Sequence, residues 1–403
     1  MTGTAVIELV EHAPAVRRPL PDAVGRALAA SRIVDAAPDP YAAGQWVLRA
    51  GSKVGAVTLD VPGCDPVTVR IAPKVPIARL FFLLGYSLDP RGWRDEQVEV
   101  AEHRDLLPAL AHAAERQIDR ALRQGLLQGY RAAEETSLVV RGRIREAEQI
   151  RRHFGATLPV EIAYDEFTTD IPENRILRAA VERLLRLPGV ARDVRRRLLH
   201  QRARLAGITP LVPGQALPDW NPTRLNSRYH QALHLARVVL ADSSPEHAAG
   251  ALRIDGFLFN MNKLFEDFVT TALREEYRGT DGVCRLQDPH HLDEARTIRM
   301  KPDFVLYGPD RCPHAVVDAK YKKEKPDGYP DADLYQMLAY CTALGLPEGH
   351  LVYAKGNAPH TAHRVRHAGT IIHQHALDLD QAPDGLLGEI RSLAHLIAAD
   401  PPV

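Results

Sequence analysis

The chain has 403 residues, of which 45% are apolar and 25% charged, with 51 Lys plus Arg balanced by 51 Asp plus Glu. That length exceeds one ordinary hydrophobic core and predicts two or three domains of a globular protein. The zero net charge does not announce a nucleic-acid binder, although local charge can still build one, and Cys64, Cys284, Cys312 and Cys341, without any CxxC pair, argue against a disulfide framework, a zinc ribbon or a Cys-ligated iron–sulfur cluster.

Residues 1 to about 100 read mainly as strands: "AVIELVEH", "QWVLRAG", "GAVTLDV" and "VTVRIAP" are short, β-branched and bounded by Gly, Pro and Asp. The stretch "PIARLFFLLGY" predicts one helix, with proline in its first turn. From residue 103 to 130 the apolar spacing changes to three and four, which predicts a helix with Pro108 near its start. "TSLVVRGRI" and "LPVEIAYDEFT" read as strands. "ENRILRAAVERLLRL", "ARDVRRRLLHQRARL" and "NSRYHQALHLARVVLAD" read as helices. A boundary is expected at 242–250, a polar stretch that ends in "PEHAAG". It separates an N-terminal region, 1–245, from a C-terminal domain, 246–403. The C-terminal pattern is helix, strand, strand, helix, strand, strand, helix, which predicts a mixed sheet flanked by helices. The fold class is thus α+β or α/β and multidomain. The N-terminus has no basic n-region and carries Glu8 and Glu11, so no signal peptide is expected. No apolar run approaches a membrane span, and the expected compartment is cytoplasmic.

The chemistry gathers in the C-terminal third. Asp303 lies in "KPDFVLYG", and Asp318 and Lys320 end "AVVDAK". Strand alternation puts Asp318 and Lys320 on one face and Ala319 on the other. If the two strands pair as a hairpin, Asp303 sits beside Asp318. Glu266 lies on the preceding helix, and Gln336 and Tyr340 lie one turn apart on the following one. Carboxylates that converge repel unless a cation lies between them. Hard oxygen donors with few other ligands suit Mg²⁺, here with Asp303 and Asp318 as ligands and Glu266 as a further one, directly or through water. Such a centre can polarise a phosphodiester and activate water. Lys320 then orients the water or offsets phosphate charge, and Gln336 and Tyr340 orient a phosphate or the lysine. An acid, any residue and a lysine recur by chance at roughly one position in a hundred, so the combination carries the argument.

That combination, Pro302-Asp303, Asp318-Ala319-Lys320 and then Gln336 with Tyr340, resembles the PD-(D/E)xK nuclease superfamily and its RecB-like branch. "VVDAKYKK", "DADLYQMLAYC" and "FNMNKLFEDFV" look like the McrC family, the nuclease subunit of the McrBC modification-dependent restriction system. "IAPKVPIARLFFLLGY", "VRGRIREAEQI" and "DEFTTDIPENRILRAAVERLL" are similar to further McrC stretches. The resemblance covers roughly residues 40 to 380, and residues 1–35 match nothing. It implies catalytic positions for Asp303, Asp318 and Lys320, with Glu266 a weaker carry-over. It also implies a partner, an McrB-like AAA+ GTPase that binds 5-methylcytosine-containing double-stranded DNA while the McrC subunit docks by its N-terminal region and cuts. No G-x-x-x-x-G-K-[ST] occurs, so a motor must be another chain. Cleavage of both strands needs two active sites, which fits a dimer of complexes. Two other readings stand: a regulatory subunit that activates an AAA+ GTPase without cutting, and a stand-alone RecB-like repair nuclease.

Other residues carry weaker signals. Arg141, Arg143 and Arg145 alternate on a predicted strand, facing either phosphates, a partner's acids or solvent. Arg195, Arg196 and Arg197 read as a solvated helix face. Asn174 and Arg175 read as structural or capping residues. Lys74 follows Pro73 in a turn. His290 and His291 have no third ligand at metal spacing and read as a surface loop. Lys322, Lys323 and Lys325 follow the acidic strand, where DNA backbone would pass.

Overall fold

The computed structural model describes residues 5–88, 90, 106–154, 156–187, 189–212, 215–241, 253–323, 331–355 and 360–398. The chain forms two compact units, one made of Met1–Leu106 with Pro245–Val403 and the other of Leu107–Ser244. The first 106 residues therefore group with the C-terminal part, unlike the contiguous division at 245 expected from the sequence. The expected boundary stretch 242–250 lies outside the described residues, as does Lys325.

The first unit begins with β1 (Ala5–Val10), β2 (Val16–Pro19), α1 (Asp22–Ser31), β3 (Asp35–Pro38), β4 (Gln45–Arg49), β5 (Lys53–Asp60), β6 (Val67–Ala72) and α2 (Ile77–Leu88). Strands β2, β4 and β3 make a small antiparallel sheet. A core of Ile7, Leu9, Val24, Leu28, Trp46, Leu48, Leu59, Val69 and Ile71 gathers α1 and these strands. Helix α1 is not among the expected elements; it is Ala-rich, buries Val24 and Leu28 one turn apart, and begins without a side-chain cap.

The second unit holds α3 (Leu106–Leu122), β7 (Gly129–Ser137), β8 (Arg143–Ile144), α4 (Glu146–His153), β9 (Val160–Thr168), α5 (Pro172–Leu184), α6 (Arg192–Arg204) and α7 (His230–Ala241). Strands β7 and β9 pair antiparallel over nine residues each, with β8 on the other side of β9. The helix predicted to run to 130 stops at Leu122, and the strand begins at Gly129 rather than in "TSLVVRGRI". Leu138–Gly142 turns, with Gly142 at φ 75. Arg141 and Arg145 are spent within the chain: Arg141 contacts Glu135 at 3.0 Å and lies over the Tyr164 ring, and Arg145 contacts Glu134 at 3.0 Å. Arg143 is exposed. The solvated-face reading of residues 195–197 fails at Arg197, whose Nε donates to the buried Glu115 at 2.8 Å and ties α6 to α3. Asn174 is fully buried and its amide donates to the carbonyls of Leu127 and Thr169.

Asp170 is the polar hub of this unit. Its carboxylate accepts from Arg131 on β7, from Arg175 on α5, and from the backbone N–H and hydroxyl of Thr209 after α6. The Arg175 guanidinium is the main reason its pKa falls well below the ordinary value; burial opposes this and the Thr209 donors add to it. A depressed folded-state pKa means that the stabilisation is present above the unfolded value of about 3.9 and is lost as pH falls through and below it. Asp170→Asn is expected to cost roughly 2–3 kcal/mol at pH 7 and to flatten the acid limb of a Tm-versus-pH curve. An acid limb that is identical in both proteins would contradict the hub.

The chain returns to the first unit with β10 (Arg253–Asn260), α8 (Met261–Glu276), β11 (Val283–Leu286), β12 (His290–His291), β13 (Arg299–Met300), β14 (Phe304–Tyr307), β15 (Pro313–Lys323), α9 (Asp331–Leu344), β16 (Glu348–Lys355), β17 (His360–Arg364), β18 (Ile371–Ala376) and α10 (Pro383–Ala398). Strand β10 pairs with β5 from Arg253 opposite Asp60 to Asn260 opposite Lys53 and completes the sheet β1-β6-β5-β10. The approach is close: a Cβ on Gly55 would stand 2.1 Å from the Phe257 carbonyl oxygen. Asn260 then caps α8, its Oδ1 accepting from the Asn262 and Lys263 N–H groups. Helix α8 packs on α2 through Phe268, edge-on to Phe82 and Tyr86. The second sheet has the order β11-β14-β15-β16-β18-β17, with β15, β16 and β18 parallel. His290 and His291 form a short strand pair with β13 rather than a loop, and His290 contacts Asp288 at 3.0 Å. Among the described residues no helix is long and apolar enough to cross a membrane.

Candidate functional site

Strand β15 runs through the middle of the second sheet. Val317, Ala319 and Tyr321 face one way, and Tyr321 packs against Phe265 of α8. Val316 faces the other way and joins Met337, Tyr340 and Cys341 of α9 in one core cluster. Helix α9 lies close on the sheet here, since a Cβ on Gly349 would meet Met337 Sδ and Cys341 Sγ at 2.5 Å. Asp318 and Lys320 continue the Val316 face, under α9.

Strands β14 and β15 pair antiparallel from Leu306 opposite Ala315 to Phe304 opposite Val317, and Asp303 and Asp318 follow at the end of this ladder. Both are buried, Asp303 at 8% exposure and Asp318 at 2%. Asp303 Oδ2 accepts from the Ala319 N–H at 2.9 Å, and Oδ1 accepts from Gln287 Nε2 at 2.9 Å. Asp318 Oδ2 lies 2.5 Å from Lys320 Nζ in an ion pair, yet has no donor in hydrogen-bonding geometry. Lys320 Nζ donates to Gln336 Oε1 at 2.9 Å, and Gln336 Nε2 donates to Tyr340 Oη at 2.6 Å. The Tyr340 hydroxyl reaches the Lys301 carbonyl at 3.5 Å. The fold thus brings Asp303, Asp318, Lys320, Gln336 and Tyr340 into one connected group.

Burial and like charge set the electrostatics. Burial first, then the Asp318 charge, pushes the Asp303 carboxyl up to about 7, while the Ala319 N–H pulls the other way. Burial also raises Asp318, opposed by Lys320 and by a hydrogen bond from Asp303. Two carboxylates buried this close repel, and a cation between them would relieve that repulsion. Burial works against the Lys320 ammonium, but Asp318 outweighs it and raises the lysine above its ordinary value, so Lys320 is a fixed cation.

Glu266 joins the group indirectly. Its Oε1 accepts from Gln287 Nε2, the same nitrogen that bonds Asp303. Among the described residues no three His, Cys, Asp or Glu side chains are arranged to hold a metal ion. The expected trio of Asp303, Asp318 and Glu266 is thus not a three-carboxylate cage, because an amide separates Glu266 from Asp303. Two carboxylates remain, and the buried Asp318 Oδ2 is met only by the Lys320 ammonium, outside hydrogen-bonding geometry. Those donors fit Mg²⁺, which takes one or two carboxylates and leaves the rest of its shell to water and phosphate oxygen. Gln287 itself has no sequence signal: it follows a four-residue strand and matches no motif. Lys74, placed in a turn by the sequence, donates its backbone N–H to the buried Glu11 at 3.4 Å.

Removing Lys320 should expose the repulsion. Lys320→Met is expected to cost roughly 3–5 kcal/mol at pH 8, the usual effect of stripping one partner from a buried pair. Lys320 is what holds the raised Asp318 carboxyl down, so without it protonation as the pH falls relieves the unpaired charge, and the deficit is smaller at pH 5 than at pH 8. Thermal melts at the two pH values test this, and an equal deficit at both would refute it.

A family model described as a component of the McrBC 5-methylcytosine restriction system matches residues 48–354, well over half of the chain and all of α8, β14, β15 and α9. No curated protein matches the chain. Among solved structures, the chain is similar to one from the refined half-complex of the tetradecameric assembly of Thermococcus gammatolerans McrB AAA+ hexamers with bound McrC. The TM-score is 0.58 at 18% identity, covering 98% of this chain and 100% of that one. A second, from the cryo-EM structure of the T. gammatolerans McrBC complex, has a TM-score of 0.42 at 21% identity, covering 68% of this chain and 88% of that one. The first likeness shows a shared fold across nearly the whole length, and with the family match over the site-bearing elements, the chain belongs to the family of McrBC 5-methylcytosine restriction system components.

Proposed function

We propose that this chain is the DNA-cutting subunit of a GTP-driven restriction complex directed at 5-methylcytosine-containing DNA, with an McrB-like AAA+ GTPase as its partner. The observation that carries this reading is the buried Asp303–Asp318 pair with Lys320 beside it. A protein that only regulated a GTPase would gain nothing from two desolvated carboxylates, which cost stability unless a cation is bound. Family membership supports the restriction setting, and the solved neighbour, an assembly of McrB AAA+ hexamers with bound McrC, supports the partner. The absence of a Walker A pattern from the sequence leaves GTP hydrolysis to that partner. Four free cysteines fit a reducing, cytoplasmic setting.

Asp303 and Asp318 would hold Mg²⁺, which when bound supplies the Lewis-acid charge for hydrolysis of a phosphodiester. The protein's own groups do the rest. The Ala319 N–H and the Gln287 amide fix the Asp303 carboxylate. Lys320, a cation pinned between Asp318 and Gln336, can donate to a phosphate oxygen or orient the attacking water. Gln336 and Tyr340 act on the acidic pair through Lys320, which they hold in position. Asp318→Ala is expected to reduce cleavage of methylated plasmid at least about 10³-fold, measured with Mg²⁺, GTP and the partner, while stimulation of GTP turnover persists. Undiminished cleavage would remove the site assignment.

The partner-docking role falls to the region before residue 245, and within it the tip of the β7–β8 turn, in the connection from β7 to β9, is the best-suited surface. Leu138, Val139 and Val140 are 73%, 70% and 53% exposed, with Ile150, Phe154 and Leu158 exposed in the same connection. Apolar side chains exposed together mark a protein-binding surface, and an AAA+ ring is the occupant that the family predicts. Replacing Leu138, Val139 and Val140 together by serine should lower the affinity for the GTPase about 10-fold or more, read by the partner concentration that half-saturates GTP turnover. The melting temperature should not change. Wild-type half-saturation would exclude this tip as the docking element.

A further inference from the structure

The residue opposite Asp303 on the side away from Asp318 is Gln287. Strand β11 pairs with β14 up to Leu286 opposite Phe304. Gln287 extends that ladder by donating its backbone N–H to the Asp303 carbonyl at 3.0 Å. The row across the sheet end is therefore Gln287, Asp303, Asp318. The Gln287 backbone sits at φ 51, in the left-handed region that side chains other than glycine and asparagine rarely enter. Backbone preference thus does not explain a glutamine here, whereas its side chain has defined work. One nitrogen, Nε2, donates to Asp303 Oδ1 at 2.9 Å and also to Glu266 Oε1. A primary amide has two N–H donors on that nitrogen, one for each carboxylate. It carries no charge, so it orders the carboxylates without competing with a bound cation as a lysine would.

We infer that Gln287 is a positioning residue for the acidic centre. It clamps Asp303 from the side opposite Asp318 and keeps Glu266 one hydrogen bond behind the ligands. This assignment deepens the nuclease reading and rests on it. The Ala319 N–H and the Gln287 amide take one lone pair from each Asp303 oxygen. The rotation of that carboxylate is thereby fixed before any cation arrives. Without the amide, Glu266 and Asp303 face each other across a gap with no donor between them, and the Asp303 carboxylate can turn. Loss of such a supporting hydrogen bond weakens metal affinity characteristically, by about 10- to 100-fold.

The test uses the full chain with Mn²⁺ as the probe, free Mn²⁺ being read by its electron paramagnetic resonance signal, with wild type, Gln287→Met and Asp318→Ala side by side. Gln287→Met keeps the length and bulk of the side chain and removes both donors. Its Mn²⁺ affinity should fall about 10-fold or more. In the cleavage assay with the GTPase partner, the Mg²⁺ concentration for half-maximal rate should rise by the same factor, while the rate at saturating Mg²⁺ and the stimulation of GTP turnover stay near wild type. A merely structural role would not shift the Mg²⁺ midpoint while sparing the maximum. Wild-type Mn²⁺ affinity in Gln287→Met, with binding and cleavage lost in Asp318→Ala, overturns the role of Gln287 alone. Binding and cleavage retained in Asp318→Ala overturn the acidic centre and this inference with it. If Gln287→Met does not melt cooperatively, Gln287→Asn decides: its amide is one methylene shorter and cannot span both carboxylates. The same fall in Mn²⁺ affinity is then expected, and wild-type affinity overturns the assignment.

Discussion

Two carboxylates buried side by side at the end of a β-hairpin are the constraint around which the first unit is organised. Asp303 and Asp318 have almost no water to spread their charge, and burial together with the Asp318 charge raises the proton affinity of Asp303. Three polar groups placed against them answer that problem. The Ala319 N–H, the Gln287 amide and the Lys320 ammonium all bring positive hydrogen to the pair. The lysine is in turn held by Gln336, and Gln336 by Tyr340, so helix α9 is coupled to the acids through a chain of three hydrogen-bonding side chains. Such an arrangement costs folding free energy, which the proposed cation would offset.

The scaffold holds this pair from both faces of the second sheet. Helix α9 packs against the face that carries Val316, Asp318 and Lys320, and α8 packs against the opposite one through Phe265 and Tyr321. Helix α8 is itself delivered by β10, which pairs along its length with β5 from the first sixty residues. The N-terminal strands are therefore part of the body that supports the site, and the residues between them, 107–244, form the separate unit. Dividing the chain at the composition shift near 245 finds where the inserted unit ends but cannot find that the earlier strands return to pair beyond it. Non-local strand pairing leaves no trace in local composition.

Local signals mislead wherever a tertiary partner decides the outcome. The apolar spacing of residues 103–130 is helical, yet the helix ends at Leu122 and Gly129–Ser137 is a strand, because its nine residues pair with β9. "GYRAAEETS" has low strand propensity and reads as a strand only once its partner is known. Arg197 has the pattern of one of three solvated arginines, but a buried glutamate 82 residues earlier claims it. His290 and His291 have the pattern of a loop until β13 pairs with them. Asn174 and Arg175 are legible as structural residues, but not the reason: Asp170 gathers donors from a strand, a helix and a loop.

The site divides in the same way. Sequence by itself determined which of these side chains lie together, because strand alternation fixes Asp318 and Lys320 on one face and helical spacing fixes Gln336 and Tyr340 on one face, whatever surrounds them. It also determined the order of elements that puts Asp303 just ahead of β14. Tertiary structure alone decided how those side chains are partnered. Lys320 bonds Gln336, Glu266 stands behind an amide, and Gln287 enters the group from a strand end with no motif. The physical reason is that covalent periodicity sets the direction of a side chain within its own element. Distance between elements, burial and the resulting balance of charge are properties of the packed chain.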